Sequence, residues 1–367
     1  MQINFYDFQN IYIEEKFRVH KNTQKILSKI EGNPKVSYIE DVNDFIKSLP
    51  VVYSPEERSK NLLLTGIRGE ILRRCPGSSG HICCNYYVIN LYVGCPLGCS
   101  YCILQSYLNQ NVTIINVDIE NIFYEVEKIV TENPDKIYRI GTGELGDSLV
   151  YDYLTEYSLE FINFFANFKN CLFEFKTKTN FIDNILQKES PGNIIIGFSV
   201  NPELIVKNDE VFANTFEERL IAAKKLVEKN YKIALHFDPI INIKDSTNEY
   251  AYVIEKIFSY ISPNDVAWIS LGTFRYTPNL KNMVEYNYQG SKILFDEFVE
   301  CRDKKFRYFK KIRLKLYEQV VTNLKNFSKD LLIYLCMESP AVWEESLGFL
   351  PYEEKKIDLL FKNAIKR

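Results

Sequence analysis

Histidine is scarce in this sequence. His20, His81 and His236 are the three in 367 residues, and no two of them stand at metal-ligand spacing. A zinc site of paired histidines or matched cysteine pairs is therefore disfavoured. No apolar run approaches the ~18 residues a membrane span needs, so no membrane association is expected. The start, from Met1 to Asp7, lacks a basic segment followed by an apolar core, which argues against a secretory leader. Positive charge is not in excess: 45 Lys and Arg stand against 48 Asp and Glu, a net charge of −3. A generic nucleic-acid coater would be basic overall, so any such contact must be local. The nine cysteines are irregularly spaced apart from one tight group. That usage indicates a reducing compartment, and a cytoplasmic location is expected.

The tight group is Gly94-Cys95-Pro96-Leu97-Gly98-Cys99-Ser100-Tyr101-Cys102, with C-x3-C-x2-C spacing. It follows the run from Tyr87 to Val93, whose β-branched and aromatic residues predict a buried strand from Asn85 to Val93. Three thiolates on a short loop at a strand's C-terminal end can converge on one face of an iron–sulfur cluster. Without a fourth thiolate, one iron stays open to a small ligand. Zinc is the competing reading. Cys75, Cys83 and Cys84 match no common metal spacing.

The length suits one large domain or two moderate ones. Residues 1–84 are expected to form an N-terminal extension, with a helix over Phe17 to Ile30 and a strand over Lys35 to Glu40. From 85 to 290 strand and helix signals alternate, which predicts parallel βα units. The strands are expected at 85–93, 136–140, 172–175, 194–200, 232–237 and 267–271, and the helices at 119–132, 158–168, 216–229 and 249–262. Thr215-Phe216-Glu217-Glu218 is a capping box. Residues 291–367 are read as a basic hairpin and a helical region ending in a lysine-rich tail.

The strand ends carry polar residues. The second runs into Gly143-Glu144, with Asp147 beyond; the third leads to Lys176 and Lys178. The fourth ends in Ser199 and Asn201, the fifth in His236 and Asp238, and the sixth reaches Arg275. A carboxylate there can accept from an ammonium group and a lysine can pair with a carboxylate. Between Cys301 and Lys315, eight cationic residues stand against one aspartate, interleaved with Phe306, Tyr308 and Phe309. Such a stretch can grip phosphates and stack bases, or be a solvated basic face.

The cysteine spacing with Tyr101 before the last cysteine resembles the signature of the radical S-adenosylmethionine enzymes. The resemblance implies an α/β fold, an incomplete (β/α)6 TIM-type barrel of the radical SAM kind with N- and C-terminal extensions. It implies a 4Fe-4S cluster on Cys95, Cys99 and Cys102 and S-adenosyl-L-methionine as cofactors. Glu144, Asp147, Lys176, Lys178, Ser199, Asn201 and His236 then become candidate cofactor contacts. The segments Phe198 to Pro202, His236 to Ile240, Ser270 to Arg275, Lys305 to Phe309 and Cys336 to Pro340 narrow this further. In order and content they resemble the spore photoproduct lyase family, over about residues 70 to 350.

That family implies a lyase in which a 5′-deoxyadenosyl radical takes hydrogen from a thymine-dimer lesion in DNA and reverses it. Tyr101 and Glu144 are the catalytic candidates, and Arg275, Lys305, Arg307 and Tyr308 the nucleic-acid contacts. The implied partners are lesion-bearing DNA and an electron donor such as flavodoxin or ferredoxin, acting on a monomer. Two positions depart from the family. Glu144 stands where its repair enzymes carry a hydrogen-donating cysteine, and Ile103 where they carry a relay tyrosine. Either another residue quenches the radical, or the chain is a paralogue modifying a peptide or small molecule with S-adenosylmethionine consumed. A non-enzymatic nucleic-acid-binding protein with a structural metal is the third reading.

Overall fold

The computed structural model describes residues 6–50, 54–78, 80–108, 110–351 and 354–364. The first five residues and the end of the lysine-rich tail lie outside the described residues. The strands in chain order are β1 (Asn10–Glu14), β2 (Lys35–Ile39), β3 (Asn61–Thr65), β4 (Arg73–Arg74) and β5 (Tyr86–Val88). Next come β6 (Tyr92–Val93), β7 (Thr113–Asn116), β8 (Tyr138–Gly141), β9 (Cys171–Thr177) and β10 (Ile194–Ser199). The last are β11 (Lys232–Ile240), β12 (Val266–Thr273), β13 (Arg275–Tyr276), β14 (Phe298–Glu300), β15 (Phe306–Tyr308) and β16 (Ile333–Leu335).

The largest sheet has the order β16-β12-β11-β10-β9-β8-β5-β4. β5, β8, β9, β10, β11 and β12 run parallel, one for each of the six strands the sequence predicts. The sheet curls into an incomplete barrel. Crossover helices cover it because one stripe of each is apolar: Ile119–Glu132 buries Ile119, Ile122, Val126 and Val130 at helical spacing. The helix Phe216–Val227 opens on the capping box of Thr215 and Glu218. β16, too short to stand out in sequence, adds a seventh parallel strand beside β12. β4 closes the other edge antiparallel to β5.

One strand differs from expectation. The run from Asn85 to Val93 breaks in the middle and changes sheets. Val88 pairs with Gly141 in the half-barrel, whereas Tyr92 pairs with Ile115 in a second sheet, β2-β1-β3-β7-β6. The cause is polar. The Asn116 amide donates to Asn90 O at 2.6 Å and Leu91 O at 3.2 Å, taking carbonyls a straight strand would give to its neighbour. The second sheet thus draws strands from both sides of residue 84. Its helix, expected from Phe17, is Lys21–Lys29, because the His20 ring caps it by accepting from Asn22 N at 3.3 Å.

Arg139 on β8 fills the barrel interior. Its guanidinium lies 4.8 Å from the Tyr86 ring, 4.9 Å from Trp268 and 4.0 Å from Phe361 of the last helix. A desolvated cation–π contact contributes ~2 kcal/mol, so this cluster seals the barrel interior below the strand ends. β13, β15 and β14 form a small antiparallel sheet from the basic segment, followed by the helix Lys310–Phe327.

Candidate active site

The loop from Gly94 to Cys102 is fastened on three sides. Gly94 N donates to Leu145 O at 2.9 Å, Ser100 N to Asp209 O at 2.8 Å and Gln105 Nε2 to Cys99 O at 2.6 Å. Ser100 Oγ also donates to the Asp209 carboxylate at 2.6 Å. Gly98 sits at φ +61, and a Cβ there would meet the Phe212 ring at 3.1 Å. Glycine is what lets the chain double back between the first two cysteines. So held, Cys95, Cys99 and Cys102 line one cavity of about 250 Å³ at the C-terminal ends of the barrel strands.

The opposite wall carries Gly143, Glu144, Lys176, Lys178, Ser199, Asp238, Arg275 and Lys305. A Cβ on Gly143 would meet the Lys176 Cβ at 3.0 Å, so this glycine admits the close approach of two strand ends. Glu144 Oε2 accepts from Arg73 Nη2 at 2.6 Å. Arg275 Nη1 donates to Asp238 Oδ1 at 3.3 Å, and Lys305 Nζ to Ser78 Oγ at 2.9 Å. Burial alone would depress the Lys178 ammonium, but the Cys99 and Glu210 charges hold it above its ordinary value.

Tyr101 lines the same cavity, its hydroxyl donating to Glu210, a carboxylate shared with Arg219. Burial and the Glu210 charge push that phenol well above its ordinary range.

Two expected contacts, Asn201 and His236, stand behind the wall, and Asp147 lines the cavity with its carboxylate already engaged. Asp147 is buried, its carboxylate accepting from Leu149 N, Val150 N, Thr177 Oγ1 and Lys178 N; every lone pair is used by the loop itself. Asn201 donates to Glu210 at 3.0 Å, holding the carboxylate that receives Tyr101. His236 pairs with Glu174 at 2.6 Å inside the barrel and does not pair with Asp238. Strand alternation places His236 and Asp238 on one face, and Arg275 takes the aspartate.

The largest correction concerns Arg307 and Tyr308. Both face inward. The Arg307 side chain is 1% exposed and bidentate to Asp303. Tyr308 is buried, its ring 4.6 Å from Phe298 and its hydroxyl accepting from Asn242 N at 3.1 Å. Aromatic neighbours on β13 and β14 cover the face of β15 that carries Phe306 and Tyr308, and Asp303 takes Arg307 on the other face. Arg302, Lys304, Phe309, Lys310, Lys311 and Lys315 are the exposed members of the segment.

Sequence reasoning passed over Asp209, Glu210 and Arg73. The two acids end a short helix with no motif signal, and Arg73 becomes visible only once β4 lies beside Asn90 and Glu144.

A family model described as SPL, spore photoproduct lyase, matches residues 9–338. The chain belongs to the spore photoproduct lyase family. The spore photoproduct lyase of Geobacillus sp. (strain Y412MC61) is 27% identical over 214 residues, 58% of this chain and 63% of that enzyme. That of Bacillus subtilis (strain 168) is 26% identical over 215 residues, with the same two shares. The match therefore spans less than two thirds of the length of these curated relatives. A solved spore photoproduct lyase mutant with bound AdoMet and dinucleoside spore photoproduct superimposes with a TM-score of 0.78. It is 20% identical, the superposition covering 89% of this chain and 98% of that one, and it shows the shared fold.

The residues present fit the two groups that membership in the spore photoproduct lyase family implies. Cys95, Cys99 and Cys102 are free thiols facing one cavity. Burial pushes the Cys95 thiol up to about 12 and raises Cys99 and Cys102 as well, so thiolates here would need a cation beside them, as iron would be. Ser199 Oγ, in the wall and 1% exposed, has no hydrogen-bond partner among the described residues. It offers a bond to a ligand.

Proposed function

We propose that this chain is a radical S-adenosylmethionine lyase that reverses a thymine-dimer lesion in DNA. The observation that carries this reading is the convergence of the three cysteines and the charged strand ends on one cavity. Cys95, Cys99 and Cys102 would hold a 4Fe-4S cluster with one iron left for S-adenosylmethionine. When bound, these cofactors supply a 5′-deoxyadenosyl radical able to take hydrogen from an unactivated carbon.

The chain's own residues do the rest. Glu144 accepts from the methionyl ammonium, with Arg73 fixing its orientation. Lys176 or Lys178 pairs with the methionyl carboxylate, and Ser199 donates the remaining bond. Asp147 and Asn201 act through their neighbours: one shapes the loop presenting Glu144 and Lys178, the other holds the Tyr101–Glu210 pair. Tyr101 keeps its proton and packs beneath Lys178, whose ammonium lies 5.6 Å from the ring. The Asp238–Arg275 pair and Lys305 border the substrate side. A lesion would have to leave the duplex to enter.

No helix among the described residues is long and apolar enough to cross a membrane, which is compatible with a cytoplasmic monomer served by flavodoxin or ferredoxin. A second reading, a peptide or small-molecule substrate, draws on the inward Arg307 and Tyr308, which leave the basic segment with fewer free cations. The test is anaerobically reconstituted protein with reductant, S-adenosylmethionine and dinucleoside spore photoproduct, followed by mass spectrometry. Thymine and 5′-deoxyadenosine are expected together. The triple change of Cys95, Cys99 and Cys102 to alanine should abolish both, along with iron loading. 5′-Deoxyadenosine without thymine would favour the second reading.

A further inference from the structure

The half-barrel ends in two edge strands, β4 and β16, and each runs directly into a thiol. Cys75 follows β4 and Cys336 follows β16. The two loops meet and close the gap: Ile82 N donates to Glu338 O at 2.9 Å, and Ser78 Oγ reaches Met337 Sδ at 3.8 Å. Cys75 N donates to Tyr86 O at 2.8 Å, extending the β4–β5 ladder by one residue. Side chains two apart on such a ladder share a face. Cys75 therefore follows Arg73 onto the side where Arg73 meets Glu144. On the other edge, Arg275 Nη2 donates to Cys336 Sγ at 3.8 Å, and Arg275 and Met337 both line the cavity.

Burial raises the Cys75 thiol above its ordinary value, and the Glu144 carboxylate adds to it. Burial likewise raises Cys336, to about 12, with Asp238 and Cys84 adding to it. Both S–H bonds are therefore intact at neutral pH. Of the other cysteines outside the cluster loop, Cys171 begins β9 at the far end of the barrel and Cys301 sits in the β14–β15 turn. Glu144, on the cavity wall between the cluster loop and Arg73, has no hydrogen atom that a carbon radical could remove.

We propose that Cys75 and Cys336 are a thiol pair that returns a hydrogen atom to the substrate radical, Cys75 delivering it and Cys336 exchanging with Cys75. The proposal rests on the radical-enzyme reading above. In the first step the Cys75 S–H bond breaks and a C–H bond forms on the substrate carbon, leaving a sulfur radical. That radical takes the hydrogen atom of Cys336, an exchange between like bonds with little net energy change. The Cys336 sulfur radical is then restored by one electron, from the low-potential donor that reduces the cluster, and one proton from water at the seam, where Cys83 is exposed.

The test uses the reconstituted full chain in D2O, where thiol hydrogens exchange with solvent. Wild type should give thymine carrying a single solvent deuterium. Cys75→Ser keeps size and a polar tip but has no transferable hydrogen. It should lose about tenfold in both thymine yield and label while forming 5′-deoxyadenosine at the usual rate. Cys336→Ser should support a first turnover and then stall. Iron content and S-adenosylmethionine affinity should match wild type in both variants, separating the proposal from a folding defect. Undiminished label in Cys75→Ser overturns it, and so does sustained turnover in Cys336→Ser. If wild type yields no thymine at all, the substrate reading has failed instead. S-Adenosylmethionine cleavage without substrate then decides on the thiols: deuterium in 5′-deoxyadenosine should vanish in the double variant, and persistence overturns the pair.

Discussion

Arg307 lays its guanidinium against the Asp303 carboxylate in two hydrogen bonds, 2.6 and 2.7 Å long, across the turn between β14 and β15. The arginine side chain is 1% exposed and the aspartate 7%. Burial alone would raise the Asp303 carboxyl, but Arg307 and the surrounding hydrogen bonds hold it far below the usual carboxylate range. This pair spends, on shaping a hairpin, a charge that the sequence offers to a phosphate.

Removing one member should therefore register as stability. Asp303→Ala leaves a buried guanidinium unpaired and is expected to cost about 3 kcal/mol. Differential scanning calorimetry at neutral pH measures it, and a melting point equal to wild type would contradict the buried pairing. Tyr308→Ala should also lower the melting point, since it empties an aromatic cluster.

DNA affinity should instead depend on the cations left outside. The Lys304 side chain is 84% exposed at the hairpin tip, and Arg302 beside it is exposed too. Replacing either by alanine should flatten the dependence of log K on log salt by about one unit, as one lost phosphate contact does. Arg307→Ala should leave the slope unchanged. Fluorescence anisotropy with lesion-bearing oligonucleotides across a salt series distinguishes the two. A slope change confined to Arg307→Ala would reverse the assignment.

Glu144 already carries one partner in Arg73, so its charge is oriented before a ligand arrives. Glu144→Gln keeps the shape and weakens a charge-assisted bond, and S-adenosylmethionine affinity should fall about tenfold. Isothermal titration on the reconstituted protein gives the constant. Unaltered affinity would remove Glu144 from the methionyl site.

Inside the barrel, Glu174 accepts from Trp268 Nε1 at 3.2 Å and pairs with His236 at 2.6 Å. Burial would raise its carboxyl, but His236, Arg139 and Lys176 hold it at about 2. The free value is about 4.3, so Glu174's contribution is complete above that pH and is lost as pH falls toward 2. Glu174→Gln should be less stable than wild type at pH 6, by up to about 3 kcal/mol, with the gap closing on acidification. Urea denaturation at a series of pH values follows the gap. A gap that widens toward pH 3 would contradict an ionised Glu174.

Much of this was legible in the chain. The six parallel strands announce themselves because each is a short apolar run between helical stretches, and Cys95, Cys99 and Cys102 because ligand spacing is local. Glu144, Lys176 and Ser199 line the cavity because strand ends are where such a sheet presents side chains. Arg307 and Tyr308 were misjudged because composition records charge and not direction. Arg307 is turned in by Asp303 from the adjoining turn, and Tyr308 is held by Phe298 and by Asn242, 66 residues earlier in the chain. His236 and Asp238 share a face, yet which one meets the cavity depends on Glu174 and Arg275 from other strands, a choice local sequence does not encode.

The broken strand between Val88 and Tyr92 has a mechanical corollary. The three cysteines follow β6, which belongs to the second sheet, whereas Glu144, Lys176 and Ser199 stand on the half-barrel. In the proposed reading iron and sulfonium would be gripped by two different frames, fastened near the cysteines by the 2.9 Å hydrogen bond from Gly94 to Leu145. A fragment starting at residue 85 keeps every ligand but loses β1, β2 and β3, the strands on which β7 and β6 rest. The first eighty residues, none of whose described members lines the cavity, would thus set the spacing between the cysteine loop and the charged strand ends.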